Sequence, residues 1–506
     1  MGDSFDELTA RFLSWFKQLP GATFSDAIAI QDLRGRKAGR GIGKQHPLPA
    51  APPTPSPHTN PTLIVALRDI APETVLFTIP RQSIINVETS GLRSQLPQLF
   101  SDEEGLAPQH GVADDDPLSS SPLDAWGALI LVLLYEHLRG AASAWRPYLD
   151  VLPATFETPM FWTGAELGAL QAGATAGKVG RESAEDTFRG ILLPVVRAHP
   201  DVFQGSAALS DEALVALAHR MGSTIMAYAF DLENDEERED EEDEDGWVED
   251  RDGKAMMGMV PMADILNADA EFNAHVNHGD NELTVTALRP VKAGEEILNY
   301  YGPHPNSELL RRYGYVTERH SRYDVVEIPW ELIEAATVSQ LGLSQEAWAK
   351  VRGQLDEDEM EDTFVLEREC PDILPTGLFP PSPPAHFAGL PGDLQEQLHE
   401  FLRAVRAVDA ELVPDRRRKR DELQTAIVAR ALAALEAQYP TTLAQDEQLL
   451  ASGGPPLSDK ERMAVVVRVG EKRLLREARA FLEAEAQQQG QQQQGGESPV
   501  KKPRLE

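Results

Sequence analysis

Apolar and polar positions along this chain follow two periods. Short runs of strand character stand near residues 60–80 and again between about 260 and 330. Leu63-Ile64-Val65-Ala66-Leu67 and Val75-Leu76-Phe77-Thr78-Ile79-Pro80 predict strands, separated by the turn Asp69-Ile70-Ala71-Pro72-Glu73. Leu283 to Leu288 alternates in the same way, with Pro290 and Gly294 as breakers; Ile297 to Tyr301 predicts another strand ended by Gly302-Pro303, and Tyr323 to Pro329 a further one. Elsewhere the spacing is helical. Leu8, Phe12, Leu13 and Phe16 put a stripe on a helix from Phe5 to Leu19, stopped by Pro20-Gly21. Asp124 is placed to cap a helix reaching Leu138, and Ser210 one inside the stretch Leu209 to Phe230. After the last strand, helices are expected over Glu331–Gln354, Leu394–Leu412, Leu423–Gln438 and Asp459–Glu485, around a Pro-rich loop from Pro371 to Pro391.

Three stretches lack either period. Lys44 to Pro61 is a Pro-rich insertion that cannot pair as a central strand. Asp231 to Asp252 is mostly Asp and Glu, whose self-repulsion and missing apolar content leave it a solvated loop. From Gln487 a Gln/Gly-rich tail ends in Pro499-Val500-Lys501-Lys502-Pro503-Arg504, a cluster that points to nuclear import, with the cytoplasm as the other compartment.

Composition narrows the function classes. The 506 residues are enough for about two to four domains, and 42% hydrophobic content supports a large core. The formal net charge of −35 excludes a duplex-binding surface and any direct nucleic-acid role, and favours a basic protein partner. A single cysteine, Cys370, allows neither an internal disulfide nor a four-cysteine zinc site, which fits a reducing compartment. The start MGDSFDELTA is polar and acidic, unlike a signal peptide, and the most apolar run, Ala128 to Tyr135, is too short to span a bilayer; no membrane role is expected.

Candidate chemistry is sparse by spacing alone. Gly39-Arg40-Gly41, then Ile42-Gly43, forms a glycine-rich turn that fits neither a Walker loop nor a dinucleotide fingerprint. Asn267-x-Asp269-x-Glu271 lacks the glycine of a calcium loop, His275 and His278 have no third ligand spaced to join them, and no nucleophile elbow supports Ser-His-Asp catalysis. No metal is expected.

Four pieces in order carry more: Val260-Pro261-Met262-Ala263-Asp264-Ile265-Leu266-Asn267, Ala293-Gly294-Glu295-Glu296-Ile297, Asn299-Tyr300-Tyr301-Gly302 and Tyr313-Gly314-Tyr315. This run resembles the catalytic half of a SET-domain protein lysine methyltransferase, in the class typified by the Rubisco large-subunit methyltransferase and including the ribosomal-lysine methyltransferases. Trp145-Arg146-Pro147-Tyr148-Leu149 and Pro153-Ala154-Thr155-Phe156 resemble a further signature of that class. The resemblance implies an α+β fold. A SET-domain β-core of several small sheets with a pseudo-knot would span 23–316, after an N-terminal helix over 1–22. A helical insertion over about 90–228 and an acidic disordered loop over 231–254 would interrupt that core. An all-α substrate-binding domain over 317–485 would follow, and a disordered tail over 486–506.

It also implies S-adenosylmethionine as cofactor, held by Arg40, Gly41 and Ile42 of the glycine turn and by Tyr228, Asp264, Asn267, Ala268 and Tyr301. Ala268 stands where relatives carry histidine, so imidazole contacts are lost while main-chain contacts survive. Tyr301 matches the main catalytic tyrosine, Tyr300 is the alternative one residue away, and Tyr313 matches the second tyrosine of the lysine channel. Only one of Tyr300 and Tyr301 can face that channel if both lie on a strand. The implied activity is protein-lysine N-methylation, with a large-subunit ribosomal protein as substrate and a histone as the other basic class. A non-catalytic acidic escort for such proteins is the rival reading, kept open by Ala268.

Overall fold

The computed structural model describes residues 5–32, 62–100, 123–232, 256–355, 360–451 and 456–495. The glycine turn with Arg40, Gly41 and Ile42, the Pro-rich insertion, nearly all of the acidic stretch and the basic end of the tail lie outside the described residues.

The N-terminal helix α1 (Phe5–Gln18) buries Phe12 and Phe16 completely, as its stripe predicts. The strands that follow are short: β1 (Thr23–Phe24), β2 (Ile28–Asp32), β3 (Thr62–Ala66) and β4 (Val75–Pro80). After the helical insertion come β5 (Ala229–Asp231), β6 (Met257–Met259), β7 (Asn267–Ala268), β8 (Ala274–His278), β9 (Glu282–Ala287) and β10 (Leu298–Asn299). They form one four-stranded sheet, β1-β4-β9-β8, and the pairs β2-β3, β5-β6 and β7-β10. In β9 the alternation is explicit: Leu283, Val285 and Ala287 are fully buried and the residues between them are not. The two similar turns of the sequence meet in space. Lys292 Nζ lies 2.7 Å from Asp69 Oδ2, and the Ala293 amide donates to Asp69 Oδ1 at 3.1 Å.

The insertion is helical. Helix α2 (Ala125–Leu138) is capped by Asp124, which accepts the Gly127 amide at 2.7 Å, and is apolar nearly all round because it is enclosed nearly all round. Helix α3 (Asp211–Tyr228), capped by Ser210 at 3.2 Å from the Ala213 amide, packs beside it and ends where β5 begins. These helices, α1 and the small sheets share one core.

A second core lies in the C-terminal half. Helix α4 (Asn306–Tyr313) leads towards it, and β11 (Val326–Pro329) pairs antiparallel with β12 (Thr363–Leu366). The all-helical expectation therefore holds apart from one two-stranded sheet, whose second strand sits in an acidic surrounding without clear periodicity. The remaining helices are α5 (Trp330–Leu341), α6 (Gln345–Arg352), α7 (Gly392–Val408), α8 (Arg417–Glu436), α9 (Leu443–Leu450) and α10 (Asp459–Gly495). The stretch expected as one helix over 331–354 breaks at Gly342, which caps α5 at φ +67°. The basic run Arg416–Arg420 forms the entry of α8, and α10 continues to Gly495 across the start of the tail expected to be disordered. No helix among the described residues is long and apolar enough to cross a membrane.

Candidate active site

Strands β7 and β10 are only two residues long, yet they organise the site. They pair in parallel, Leu298 with Asn267 and Asn299 with Ala268, which sets the Asn-Ala dipeptide beside the start of Asn-Tyr-Tyr-Gly. The turn ahead of β7 is tight. Met262 is fully buried at φ +84°, a conformation non-glycine residues keep only when their surroundings impose it. A single 3₁₀ turn over Ala263–Ile265 then delivers the chain to Leu266.

The Tyr301 hydroxyl donates to the Leu266 carbonyl at 2.8 Å. Its ring centroid lies 5.0 Å from that of Tyr313, the last residue of α4, and Tyr313 lies 6.1 Å from Tyr315. Burial holds the Tyr301 phenol well above its ordinary value, with Tyr315, Tyr313, Tyr228 and Asp264 adding to the effect. Tyr228, at the C-terminus of α3, is likewise pushed up by burial and by the Asp264 carboxylate, and its ring lies 6.5 Å from Phe156. Phenols from three separate segments thus converge, and all stay protonated near neutral pH. The Tyr315 hydroxyl is buried with no hydrogen-bond partner in the protein.

Gly314 makes the turn between Tyr313 and Tyr315. It sits at φ +77°, and a Cβ there would lie 3.2 Å from the Glu157 carbonyl carbon and the Thr158 nitrogen. The tyrosine turn is therefore pressed directly onto the Glu157–Thr158 backbone of the insertion.

Tyr300 is not in this cluster. It stacks on Phe272 at 4.7 Å and shares a hydroxyl hydrogen bond with Tyr323. Successive side chains of an extended segment point to opposite sides, so bringing Tyr301 in turns Tyr300 out. Of the two tyrosines left open, the structure brings Tyr301 against Tyr313 and turns Tyr300 onto Phe272 on the other face.

Asn267 is 5% exposed and donates from Nδ2 to Glu296 Oε1 at 2.7 Å, which fixes the orientation of its amide. Burial pushes the Glu296 carboxyl up to about 7, opposed by the Asn267 bond and reinforced by Asp269. Ala268 is buried at 6% exposure. Asp264, expected to line the cofactor pocket, is 2% exposed and turned inward, where Oδ2 accepts the Tyr148 hydroxyl. Sequence reasoning gave no role to Glu296, Tyr315 or Tyr148. The first two sit inside quoted motifs, and Tyr148 inside the Trp-Arg-Pro-Tyr-Leu signature, so position was the available signal. His275 and His278 point to opposite faces of β8, three residues apart on a strand, and do not meet.

Comparison with known proteins bears on this geometry. Residues 62–302 match the SET domain family, and residues 392–475 match the Rubisco LSMT substrate-binding family. The SET match thus takes in just under half of this chain. The SET match contains Tyr228, Asp264, Asn267, Ala268 and Tyr301 and stops before Tyr313; the substrate-binding match covers α7 to the first half of α10.

Ribosomal lysine N-methyltransferase 4 of Saccharomyces cerevisiae is 30% identical over 343 residues, 66% of this chain and 60% of that protein. Human N-lysine methyltransferase SETD6 is 29% identical over 316 residues, 61% of this chain and 59% of its own length. The chain thus spans about three fifths of these two relatives. Among solved structures, the SET domain of LSMT bound to lysine and AdoHcy superposes with a TM-score of 0.59 at 18% identity, covering 97% of this chain and 94% of that one. Rubisco LSMT bound to AdoMet gives 0.57 at 17% identity, covering 98% and 97%. These structures share the fold: a SET core of small sheets, a helical insertion and a largely helical C-terminal half.

Proposed function

We propose that this chain is an S-adenosylmethionine-dependent protein-lysine N-methyltransferase. The observation that carries the reading is the cluster of Tyr301, Tyr313 and Tyr315, with the Tyr301 hydroxyl on the Leu266 carbonyl, inside the SET match or just past its end. The residues suit the cofactor's chemistry. A sulfonium with an adjacent ammonium needs oxygen acceptors and ring faces, and here Asn267 with Glu296, the turn carbonyls and four phenols supply them. When bound, the cofactor supplies an electrophilic methyl on a cationic sulfur.

The chain's own residues handle the acceptor. A free lysine titrates near 10.4, so the amine must lose a proton before it can attack. A narrow aromatic channel disfavours the ammonium and holds the amine in line. Tyr301 lies at the junction, its hydroxyl already oriented by Leu266, with Tyr313 and Tyr228 narrowing the channel and the Tyr315 hydroxyl left to meet substrate. Tyr301, Tyr313 and Tyr228 would hold the neutral amine in line for the methyl group that a bound cofactor would supply, and the proton the ammonium gives up before attack would go to solvent.

The substrate is a basic large-subunit ribosomal protein. The net charge of −35 favours a basic partner, and the yeast relative is named for ribosomal lysine methylation. The Lys501-Lys502 cluster supports a nuclear site of action. Incubation of the full chain with labelled cofactor and total ribosomal protein tests this. Cofactor-dependent lysine labelling is expected, lost by about 10²-fold or more in Tyr301→Phe. Partner binding without any cofactor binding would assign the chain to the escort class instead.

A further inference from the structure

Tyr148 belongs to the core, fully buried against Phe12 at 6.1 Å, yet it carries a hydroxyl that a packed core does not need. That hydroxyl donates to Asp264 Oδ2. Burying a carboxylate is costly, and a core keeps one only where it does something an apolar residue cannot. Asp264 sits in the 3₁₀ turn over Ala263–Ile265, where its own amide donates to the Val260 carbonyl at 3.3 Å and the Ile265 amide to the Met262 carbonyl at 3.4 Å. Its bond to Tyr148 therefore pins the segment in which Met262 is held at φ +84°. The same segment ends at Leu266, whose carbonyl receives the Tyr301 hydroxyl at 2.8 Å. A chain of direct contacts runs from Tyr148 to Asp264, along the backbone through Ile265 to Leu266, and on to Tyr301.

We propose that Tyr148 and Asp264 are positioning residues for methyl transfer: together they lock the 261–266 turn so that the Leu266 carbonyl fixes the Tyr301 hydroxyl. This rests on the methyltransferase reading above. Neither residue touches the reacting atoms. Both act through the turn.

The titratable groups facing Asp264 are phenols: Tyr148, Tyr228 at the end of α3, and Tyr301 beyond β10. Burial pushes the Asp264 carboxyl up to about 7, while the Tyr148 bond and the turn amides pull it down. The clamp is strongest as the carboxylate and weakens as pH falls through 7. Removing the Tyr148 hydroxyl takes away a lowering contact, so the transition moves to higher pH.

The test uses the full chain, labelled S-adenosylmethionine and total large-subunit ribosomal protein as acceptor. In Tyr148→Phe, which deletes one oxygen, kcat is expected to fall by about 10- to 100-fold, with the cofactor KM changed less than about twofold. The acid limb of the kcat profile moves to higher pH. In a Tyr301→Phe background the same change costs nothing further, because its route runs through that hydroxyl. Additive losses, an unmoved acid limb, or a loss confined to cofactor KM would each overturn the proposal. A readout free of turnover is the ¹⁹F resonance of 3-fluorotyrosine placed at position 301. In the otherwise unsubstituted chain it should shift with a midpoint near 7, and a flat resonance overturns the proposal even if Tyr148→Phe does not fold. If the unsubstituted chain labels no protein while this resonance titrates as expected, the methyltransferase reading fails and the Tyr148–Asp264 coupling stands.

Discussion

Single side chains in this molecule trade stability for chemistry, and Glu296 is the clearest case. Its folded value near 7 stands above the ordinary 4.5 because burial opposes the charge. The folded state therefore holds the proton more tightly than the unfolded chain. Stability from this group is fully present below 4.5 and drains away as pH climbs through 7. Glu296→Gln cannot ionise, so it should be more stable than the parent at pH 8 by up to about 3 kcal/mol, with the gap closing by pH 4, read by thermal or urea unfolding. The same variant should bind S-adenosylmethionine more weakly by calorimetry, since Asn267 loses the charge that orients it. Tyr315→Phe removes a buried hydroxyl without a protein partner and should gain about 1 kcal/mol in unfolding free energy. Sequence reading reached Tyr301, Tyr313, Asn267 and Asp264 through motif order. It could not separate Tyr300 from Tyr301, because which of two adjacent tyrosines faces inward depends on the register of a two-residue strand. Nor could it see that Asp264 points to Tyr148, a residue 116 positions away.

Among the elements, the tight Tyr313-Gly314-Tyr315 turn bears most directly on activity. Gly314→Ala would put a methyl group 3.2 Å from the Glu157–Thr158 backbone at a positive φ. A cost of about 1–3 kcal/mol is expected, with a lower turnover as Tyr313 and Tyr315 shift, measured by denaturation and initial rates on the same preparation. Helices α1, α2 and α3 were legible because long stripes and caps are local signals: Asp124 and Ser210 cap where expected. Strand β8 was passed over although Ala274 and Val276 alternate with His275 and Asn277, because so short a run is a weak signal until pairing with β9 marks Ala274–His278 as extended. Strands β7 and β10 are too short for any periodicity; their partners define them. The extension of α10 to Gly495 runs through glutamine-rich sequence, where composition argued for disorder and continuity with a packed helix prevailed.

At the scale of the whole molecule, charge and the two cores matter most. With a net charge of −35, encounter with a basic substrate should weaken steeply with salt while cofactor binding does not. A substrate KM rising between about 50 and 300 mM salt at constant cofactor Kd would bear this out. The cores are tied by a buried ionic cluster. Asp446 Oδ1 meets Arg468 Nη2 at 2.7 Å, Arg468 Nη1 donates to the Ala169 carbonyl at 2.6 Å, and Gln171 Nε2 reaches Thr441 Oγ1 at 2.8 Å. Asp446→Ala strands two buried cations, Arg468 and Lys472, whose Nζ lies 2.5 Å from Asp446 Oδ2, and should cost about 3–5 kcal/mol, seen as unfolding at lower denaturant. Helix α10 joins the regions physically: Met463, Ala464 and Val467 pack with Trp162 and Leu310, and Leu474, Leu475, Ala478 and Leu482 belong to the C-terminal core. Leu310 lies on the helix that ends in Tyr313. A fragment cut just after Tyr315, the natural place to trim, would discard the long beam that braces Leu310 and with it the helix carrying Tyr313.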